Sequence, residues 1–162
     1  MEEADGWRRE VWKIIKERSD CRFFIITKRI DRFDMCKPED WGEGYDHVTI
    51  AVTTENQKMA DYRLPFTGEQ VEEILSNAAT QSSVTAEYLT PEIKSVSVGG
   101  ESGDDARICD YDWVLNIREQ CIRAGVGFSY HQTGAKLRKN GKIYHIPKDK
   151  QEDQAHRAGI DI

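Results

Sequence analysis

Three kinds of pattern that would identify a metalloprotein, a membrane protein or a common enzyme are missing from this chain of 162 residues. The cysteines show neither the CxxC spacing of zinc sites nor the C-x3-C-x2-C spacing of an iron–sulfur cluster, since they stand at Cys21, Cys36, Cys109 and Cys121. We therefore expect free thiols in a reducing compartment, with no bound metal and no cofactor.

Long apolar runs are also absent. No run approaches the roughly 20 residues that a membrane-spanning helix needs. The charged start of the chain, MEEADGWRRE, lacks the apolar core of a signal peptide. We predict a cytoplasmic protein that makes no contact with a membrane.

Signatures of catalysis are missing too. The histidines are scattered and form no HExxH pair, and no serine or cysteine stands beside a base in a recognisable pattern. The glycine-rich stretch GGESG at 99–103 is neither a P-loop nor a dinucleotide-binding fingerprint. We therefore name no catalytic residue and favour a role that is not enzymatic.

What the sequence does contain is the composition of a small globular domain with an uneven charge distribution. Charged residues make up 32% and hydrophobic residues 38% of the chain, and its formal net charge is −6. Residues 136–150 contain six Lys or Arg against one Asp, whereas residues 39–73 contain nine acidic residues against two basic ones. A chain of this length can bury a core, and the two charged segments are candidate contact surfaces.

These segments supply the candidate partner-binding residues. They are Lys136, Arg138, Lys139 and Lys142 in the basic segment and Glu69, Glu72 and Glu73 in the acidic one. A basic segment can contact nucleic acid or an acidic protein surface, and an acidic one can approach basic patches on a nucleic-acid-binding protein. Solvated surface charge is the alternative explanation for each segment.

The best-marked fold signal is a β-α-β unit over residues 95–134. An apolar strand pattern at 95–98 ends at a Gly-Gly pair, a helix begins after Asp110 and ends at Gly125, and strand alternation resumes over 126–130. The short return from helix to strand suits a parallel crossover. The sequence thus predicts an α/β fold with a parallel sheet.

Other elements are predicted around this unit. Strands are expected at 23–27 and 48–52, helices at 4–18, 67–79 and 150–158, a hairpin around Asn140-Gly141, and at 80–85 either a polar connection or a short edge strand. All four strands are predicted to run parallel in one sheet with helices against it.

Polar residues follow each predicted strand, at the end where parallel α/β folds bind ligands. The candidate ligand-binding residues are Lys28 and Arg29, then Glu55, Asn56 and Gln57, then Glu101, Ser102 and Arg107, and finally His131 and Gln132. Arg107 and the neighbouring glycines could hold a phosphate or carboxylate. Against this, Lys28 and Arg29 could be solvated charges, Asn56 a helix cap, and the glycines a tight turn.

Long stretches of the chain resemble a phage-associated protein family of unknown function. VGGESG, ARICDYDWVLNIREQCIRAGV and HQTGAKLRKNGKIYHIPKDKQEDQAHRAGID are similar to its C-terminal part, and WRREVWKIIKERSDCRFFIITKRIDRF and EDWGEGYDHVTIAVTTENQKMADYRLP follow the same pattern upstream. Fuller members of that family look like radical S-adenosylmethionine barrels. The resemblance covers most of 1–65 and 89–162. It implies an incomplete β/α barrel-like domain over 1–134, with an altered segment at 66–88, and a basic hairpin and terminal helix over 135–162 packed on it.

Three departures from the family shape the functional expectation. Members carry a further N-terminal portion with a cysteine cluster. They also have an apolar strand and an acidic-proline segment where this chain has FTGEQVEEILSNAATQSSVTAEY, and more usually a lysine in place of His131. The resemblance therefore implies a shortened barrel that lacks most of the family's catalytic machinery.

Several functions remain open at this point. The favoured one is a non-catalytic binding protein of phage or mobile-element origin, an inhibitor of a host-defence nuclease such as a CRISPR effector. The alternatives are a residual enzyme or nucleotide- or phosphate-binding protein that uses the strand-end loops, a fragment of a longer radical-SAM-like enzyme, and an assembly module without a ligand. Self-association is a further expectation, because an incomplete barrel exposes strand edges that need protection.

Overall fold

The computed structural model describes residues 2–67, 71–77 and 88–162. The strands are β1 (Phe23–Thr27), β2 (Val48–Thr54), β3 (Glu73–Asn77), β4 (Ser95–Gly99), β5 (Cys109–Asp110), β6 (Gly127–Gln132), β7 (Lys136–Lys139) and β8 (Lys142–His145). The helices are α1 (Glu2–Glu17), α2 (Phe33–Cys36), α3 (Gln57–Arg63), α4 (Tyr111–Ala124) and α5 (Gln151–His156), with 3-10 turns at Ile30–Arg32, Leu64–Phe66 and Lys148–Lys150.

The main sheet has the order β1-β2-β3-β4-β6, and all its neighbouring strands are parallel. The predicted parallel arrangement of the strands near 23–27, 48–52, 95–98 and 126–130 is therefore confirmed. Within the described residues the sheet stays open, with β1 and β6 as its two edges. The end of the chain covers the outer edge of β6, because the Phe128 and Ile162 amides donate to each other's carbonyls at 3.1 and 3.0 Å.

The predicted helix over 67–79 is wrong where the structure describes it. Residues 73–77 form β3, which is paired in parallel with β2 on one side and β4 on the other. Thr67 does not cap a helix, since its hydroxyl donates to the Leu64 carbonyl at 2.7 Å and closes a 3-10 turn. Pairing with two neighbouring strands outweighs a weak local helix preference. The expected connection or edge strand at 80–85 lies outside the described residues.

The hydrophobic core lies between one face of this sheet and the helical layer. β2 contributes Ile50 and Val52, the central strands contribute Ile74, Val96 and Val98, β6 contributes Phe128 and Tyr130, and α4 contributes Val114, Ile117 and Cys121. Each of these side chains is at most 2% exposed. Because strand side chains alternate between faces, the opposite face of the sheet carries a different set, which forms the site described below.

The β-α-β unit has the helix boundaries that the sequence predicts. The Asp110 carboxylate accepts a hydrogen bond from the Asp112 amide at 3.1 Å and caps the start of α4. Gly125 ends the helix with a φ of 69°, in the left-handed region that favours glycine.

A second sheet, in the order β5-β7-β8, contains the predicted hairpin. Asn140 and Gly141 have φ values of 53° and 72°, as a two-residue type I′ turn requires. β7 and β8 are antiparallel, and β7 also pairs with β5, which directly precedes α4. Arg138 donates to the Asp110 carboxylate at 3.1 Å, so the hairpin is anchored at the start of α4.

Helix α1 presents much of its apolar side to solvent. Ile15 is buried and Trp12 is half-buried against Phe33 and Trp41, but Trp7 and Val11 remain 66% and 51% exposed. The predicted apolar face of this helix is therefore only partly covered. None of the helices in the described ranges combines the length and apolar character needed to cross a bilayer.

We expect substitutions in β3 to follow strand alternation rather than helical spacing. Ile74 is fully buried under the helical layer, whereas Leu75 faces the open side of the sheet. Ile74→Ala should lower the free energy of unfolding by about 2–5 kcal/mol, as for other buried aliphatic side chains. Leu75→Ala should cost much less. Urea denaturation of both variants measures the difference, and equal losses would contradict the strand assignment, since a helix would place both residues on one apolar stripe.

Candidate functional site

The open face of the main sheet forms a cavity of about 500 Å³. Phe24 and Ile26 of β1 line one side of the cavity, and Ser97 of β4 and His131 of β6 line the other. The sequence predicted ligand-binding residues at the carboxyl ends of the strands, and four of them reach this cavity: Lys28, Glu55, His131 and Gln132. The fold thus brings part of the predicted set together.

Glu55 is the centre of an ion-pair network at one side of the cavity. Its two carboxylate oxygens contact the Lys28 ammonium at 2.5 Å and the Arg63 guanidinium at 2.6 Å. Partial burial alone would raise the pKa of Glu55, but the hydrogen bonds from Lys28 and Arg63 outweigh it and hold the pKa below its usual range. The Glu55 carboxylate is therefore held ionised by neighbouring cations.

Arg63 is a residue of this site that sequence reasoning missed. Its side chain is buried, and the guanidinium also donates to the Thr53 carbonyl at 2.7 Å, which ties α3 to the end of β2. The available signal was an arginine in the last turn of the helix that follows Glu55, eight residues along the chain. Only the packing of α3 against β2 shows that this arginine turns inward.

Glu101 and Arg107 close the loop after β4 on itself. The Arg107 guanidinium donates to one carboxylate oxygen of Glu101 at 2.9 and 2.5 Å, and the Arg107 amide donates to the other at 2.8 Å. The hydrogen bond with Glu101 is the main reason that the pKa of Arg107 is raised. An incoming anion would have to compete with this carboxylate for Arg107.

His131 is seated directly over Gly99. A Cβ atom at Gly99 would lie 2.3 Å from Cε1 and 2.5 Å from Nε2 of the imidazole, so a side chain there would displace the ring. The Nδ1 atom lies 3.3 Å from the Ser97 hydroxyl. Neighbouring protein atoms partly exclude water from the ring and lower the pKa of His131. The imidazole nevertheless keeps one side open to the cavity, so it can exchange protons or hydrogen bonds with a ligand.

The glycines after β4 have a packing role as well. A Cβ atom at Gly100 would lie 2.4 Å from the Thr133 carbonyl oxygen, because the loops after β4 and β6 are in direct contact. Gln132 joins the same contact by donating to the Gly100 carbonyl at 2.5 Å. These close approaches account for Gly99 and Gly100 without a bound anion.

The remaining ligand-binding candidates lie away from the cavity. Asn56 accepts a hydrogen bond from the Met59 amide at 3.0 Å and caps α3, and Gln57 donates to Asp61 at 2.6 Å within that helix. Arg29 pairs with Asp31 at 3.3 Å. Ser102 is exposed and lines a separate cavity beside the hairpin.

Two of the predicted acidic partner-binding residues, Glu72 and Glu73, lie in the described part of the chain and have different surroundings. Glu72 pairs with Lys94 at 2.7 Å and accepts from the Thr49 hydroxyl at 3.3 Å. Glu73 points into the cavity of the open sheet face, where partial burial raises its pKa. Glu69 lies outside the described residues. Glu73 begins β3 and its side chain lines the cavity, whereas Glu72 lies just before the strand and pairs with Lys94.

The predicted basic residues do share the hairpin. Arg138 is bound to Asp110, and the Lys139 ammonium lies 4.1 Å from the centre of the Tyr111 ring. Lys142 is exposed at the start of β8, and Lys136 is half-buried in β7. Lys139 and Lys142 stand opposite each other in the strand register.

The cysteines are free thiols, and two of them are deeply buried. Burial raises the pKa of both Cys109 and Cys121 to about 11, which makes them poor nucleophiles at neutral pH. Within the ranges 2–67, 71–77 and 88–162, no group of three or more His, Cys, Asp or Glu side chains is arranged to hold a metal ion.

Comparison with known proteins identifies a family relationship. The model of a family described as "Protein of unknown function (DUF5131)" matches residues 2–159. No curated protein and no solved structure matches the chain.

We expect Gly99→Ala to displace the His131 ring. The new methyl group would overlap the imidazole, so the ring should move into water and its pKa should rise toward the ordinary value of 6.5. Overpacking of this kind costs about 1–3 kcal/mol of stability. NMR titration of the imidazole measures the pKa, and the cost should largely disappear when His131→Ala is added. Gly103→Ala is the matched control, because nothing lies within 4 Å of a Cβ atom there. An unchanged His131 pKa in Gly99→Ala would contradict the seating of the ring.

We expect Glu73→Gln to stabilise the protein at neutral pH. The folded-state pKa of Glu73 is raised above its ordinary value of 4.5, so the folded protein binds the proton more tightly than the unfolded chain does. Stability is therefore lost as pH rises through the folded pKa, and the glutamine variant avoids this loss. Urea denaturation should show a gain at pH 7 that disappears well below pH 4.5, where the carboxyl is protonated in both states. Glu10→Gln, at an exposed position on α1, is the control. A gain that is equal at both pH values would refute the assignment.

Proposed function

The chain belongs to DUF5131, a protein family of unknown function, and we propose that it is a non-catalytic binding protein whose contact surface is the hairpin β7–β8. The observation that carries this proposal is the exposure of β8. All four residues of β8 are exposed, including Ile143 and Tyr144 at 48% and 45%. Aromatic side chains such as Tyr144 are enriched at the centres of protein interfaces, and lysines at the rim favour an acidic partner.

The charges of the hairpin support the same role. Lys139 and Lys142 stand directly opposite each other, and like charges in this arrangement destabilise a strand pair. The Tyr111 ring accounts for Lys139, whereas no contact among the described residues accounts for Lys142. The hairpin is nevertheless held firmly by its type I′ turn, by β5 and by the bond between Arg138 and Asp110. A preformed surface of this kind loses little conformational entropy on binding.

The ion pairs at the strand ends also support a non-catalytic role. Glu55 is neutralised by Lys28 and Arg63, and Glu101 by Arg107. A catalytic site needs oriented groups that are available to the substrate. Here the strongest charges of the strand ends are engaged with one another.

The partner that this surface fits is acidic. More specifically, we propose that this chain is a protein of phage or mobile-element origin, derived from a radical-SAM-like family. It would inhibit a host-defence nuclease such as a CRISPR effector. The resemblance of the long motifs around VGGESG and HQTGAKLRKNGKIYHI supports the origin. Nucleases hold catalytic Mg²⁺ with carboxylates, and a basic hairpin could cover such an acidic site. Direct contact of residues 136–150 with nucleic acid is the competing outcome.

A second candidate function uses the cavity on the open sheet face. Glu73 and His131 both line it, and their surroundings move their pKa values in opposite directions, Glu73 upward and His131 downward. Pairs of titratable groups with separated pKa values are common in acid–base sites. This observation favours a residual enzyme or a nucleotide- or phosphate-binding protein that uses the strand-end loops.

We expect Tyr144→Ala and Lys142→Glu to weaken partner binding while leaving the fold intact, since both residues are exposed. Loss of a central tyrosine costs about 2 kcal/mol in a typical interface, which is roughly a thirtyfold rise in Kd. Lys142→Glu should also make binding less sensitive to salt. Affinity capture from a host lysate identifies the partner, and titration of the purified partner, together with its nuclease activity, measures the effect.

Tyr62→Ala and Lys58→Glu are matched controls on α3, where the same residue types are exposed. They should bind the partner as the unaltered chain does. If the hairpin variants also bind normally while Glu101→Ala with Arg107→Ala, or His131→Ala, abolishes binding, the strand-end site replaces the hairpin as the working surface. If the captured partner is nucleic acid, the inhibitor proposal fails.

A further inference from the structure

An apolar cavity of about 690 Å³ lies under helix α1, and we call it the α1 cavity. Trp7, Val11 and Trp12 line it on the helix side, and Ile25 of β1 and Ile50 of β2 line it on the sheet side. Successive side chains of a strand point to opposite faces, so β1 lines a cavity on each face of the main sheet. The α1 cavity shares no lining residue with the cavity on the open sheet face.

The helical layer does not close over this part of the sheet. Trp7 and Val11 remain 66% and 51% exposed, and Ile25 in the middle of β1 is only half-buried. Protein interiors are normally packed so closely that few voids larger than a water molecule remain. The α1 cavity instead has the size of a small-molecule pocket and the predominantly aliphatic and aromatic lining that such pockets share.

The charged groups of the α1 cavity are all arginines. Arg8, Arg29 and Arg32 line it, whereas no acidic side chain in the described part of the chain does. Asp31 accepts hydrogen bonds from Arg29 at 3.3 and 3.4 Å and offsets one of the three positive charges. A guanidinium has five N–H donors, so a contact with the protein does not use all of them. An apolar cavity with an excess of guanidinium groups complements a molecule that is apolar at one end and anionic at the other.

We propose that the α1 cavity binds a free monocarboxylate with an acyl chain of medium length. The chain lies between α1 and β1, against Trp7, Val11 and Ile25, and the arginines bind the carboxylate through their N–H donors. Each buried methylene group raises the affinity by up to about fourfold. The chain therefore supplies much of the affinity, and the arginines select a negative charge. A concave cavity between a helix and a sheet suits a single chain better than the flat surface of a membrane.

Calorimetric titration of the full chain with decanoate, below the concentration at which it forms micelles, tests the proposal. Octanoate, decanoate and dodecanoate should bind with increasing affinity, by up to about fourfold for each added methylene. Decylamine has a chain of the same length and the opposite charge, and it should bind at least about tenfold more weakly than decanoate. Tryptophan fluorescence should change on binding, because two of the four tryptophans line the cavity.

Val11→Glu tests whether the acyl chain enters the cavity. The new carboxylate would stand among the apolar lining residues and repel the ligand, so decanoate affinity should fall at least about tenfold. Ile14→Glu is the matched control, because Ile14 is on the same helix, is equally exposed at 51% and does not line the cavity. Thermal unfolding shows whether both variants fold, and the arginine variants decide the matter if Val11→Glu does not.

The double variant Arg8→Gln with Arg29→Gln tests recognition of the carboxylate. It should weaken decanoate binding at least about tenfold, as expected for loss of charge-assisted hydrogen bonds, and should not weaken decylamine binding. The double variant Arg9→Gln with Arg22→Gln is the control, because it removes the same charge from exposed positions that do not line the cavity. It should bind decanoate as the unaltered chain does.

Three outcomes would overturn the proposal. They are absence of decanoate binding, equal affinity for decanoate and decylamine, and decanoate binding that neither Val11→Glu nor the Arg8 and Arg29 double variant weakens. Binding of the chain to anionic phospholipid vesicles without binding of decanoate would assign α1 to a membrane surface instead. These results are independent of the hairpin's partner, because no residue of β7 or β8 lines the α1 cavity.

Discussion

The pairing of β3 with β2 and β4 is the interaction on which the rest of the structure depends. β1 and β2 form one half of the main sheet, β4 and β6 form the other, and β3 joins them by parallel hydrogen bonds on both sides. The cavity on the open face needs both halves, since Lys28 and Glu55 come from one and His131 and Gln132 from the other. β3 also sets the direction of its own side chains, so that Ile74 enters the core and Glu73 enters the cavity. A five-residue strand therefore determines whether the strand ends form a common site.

The electrostatics of the strand ends are dominated by ion pairs within the protein. Carboxylates there are paired with cations from the same loop, a neighbouring loop or helix α3, as in Glu55 with Lys28 and Arg63 and in Glu101 with Arg107. Such pairs hold the loops in place but leave little net charge for a substrate. His131 and Glu73 differ from these pairs, because the pKa of each is shifted mainly by loss of water rather than by an ion pair. They are the groups through which the second candidate function would act.

The hairpin shows the opposite balance. Its lysines outnumber the nearby acidic groups, and the contacts that the structure does provide, Arg138 with Asp110 and Lys139 over Tyr111, anchor its base and one side. What remains exposed is β8, with Ile143, Tyr144 and Lys142. β8 also contributes His145, and β7 contributes Lys136, to the cavity beside the hairpin that Ser102 lines. The hairpin therefore contributes both an exposed strand and part of the wall of a polar cavity.

Local patterns in the sequence determined the elements whose signals lie within a few residues. The cap at Asp110, the left-handed Gly125 and the Asn140-Gly141 turn are set by side-chain and backbone preferences that need no distant partner, and the apolar runs of β1, β2, β4 and β6 are typical of strands buried in a parallel sheet. Tertiary structure alone decided three things: that residues 73–77 form a strand, that Arg63 turns inward to Glu55, and that Gly99 makes room for His131. Each depends on residues far apart in the chain or on different elements. The reason is physical, because the segment around β3 carries apolar residues at spacings that fit either a helix or a strand, and only hydrogen bonds from two neighbouring strands select between them.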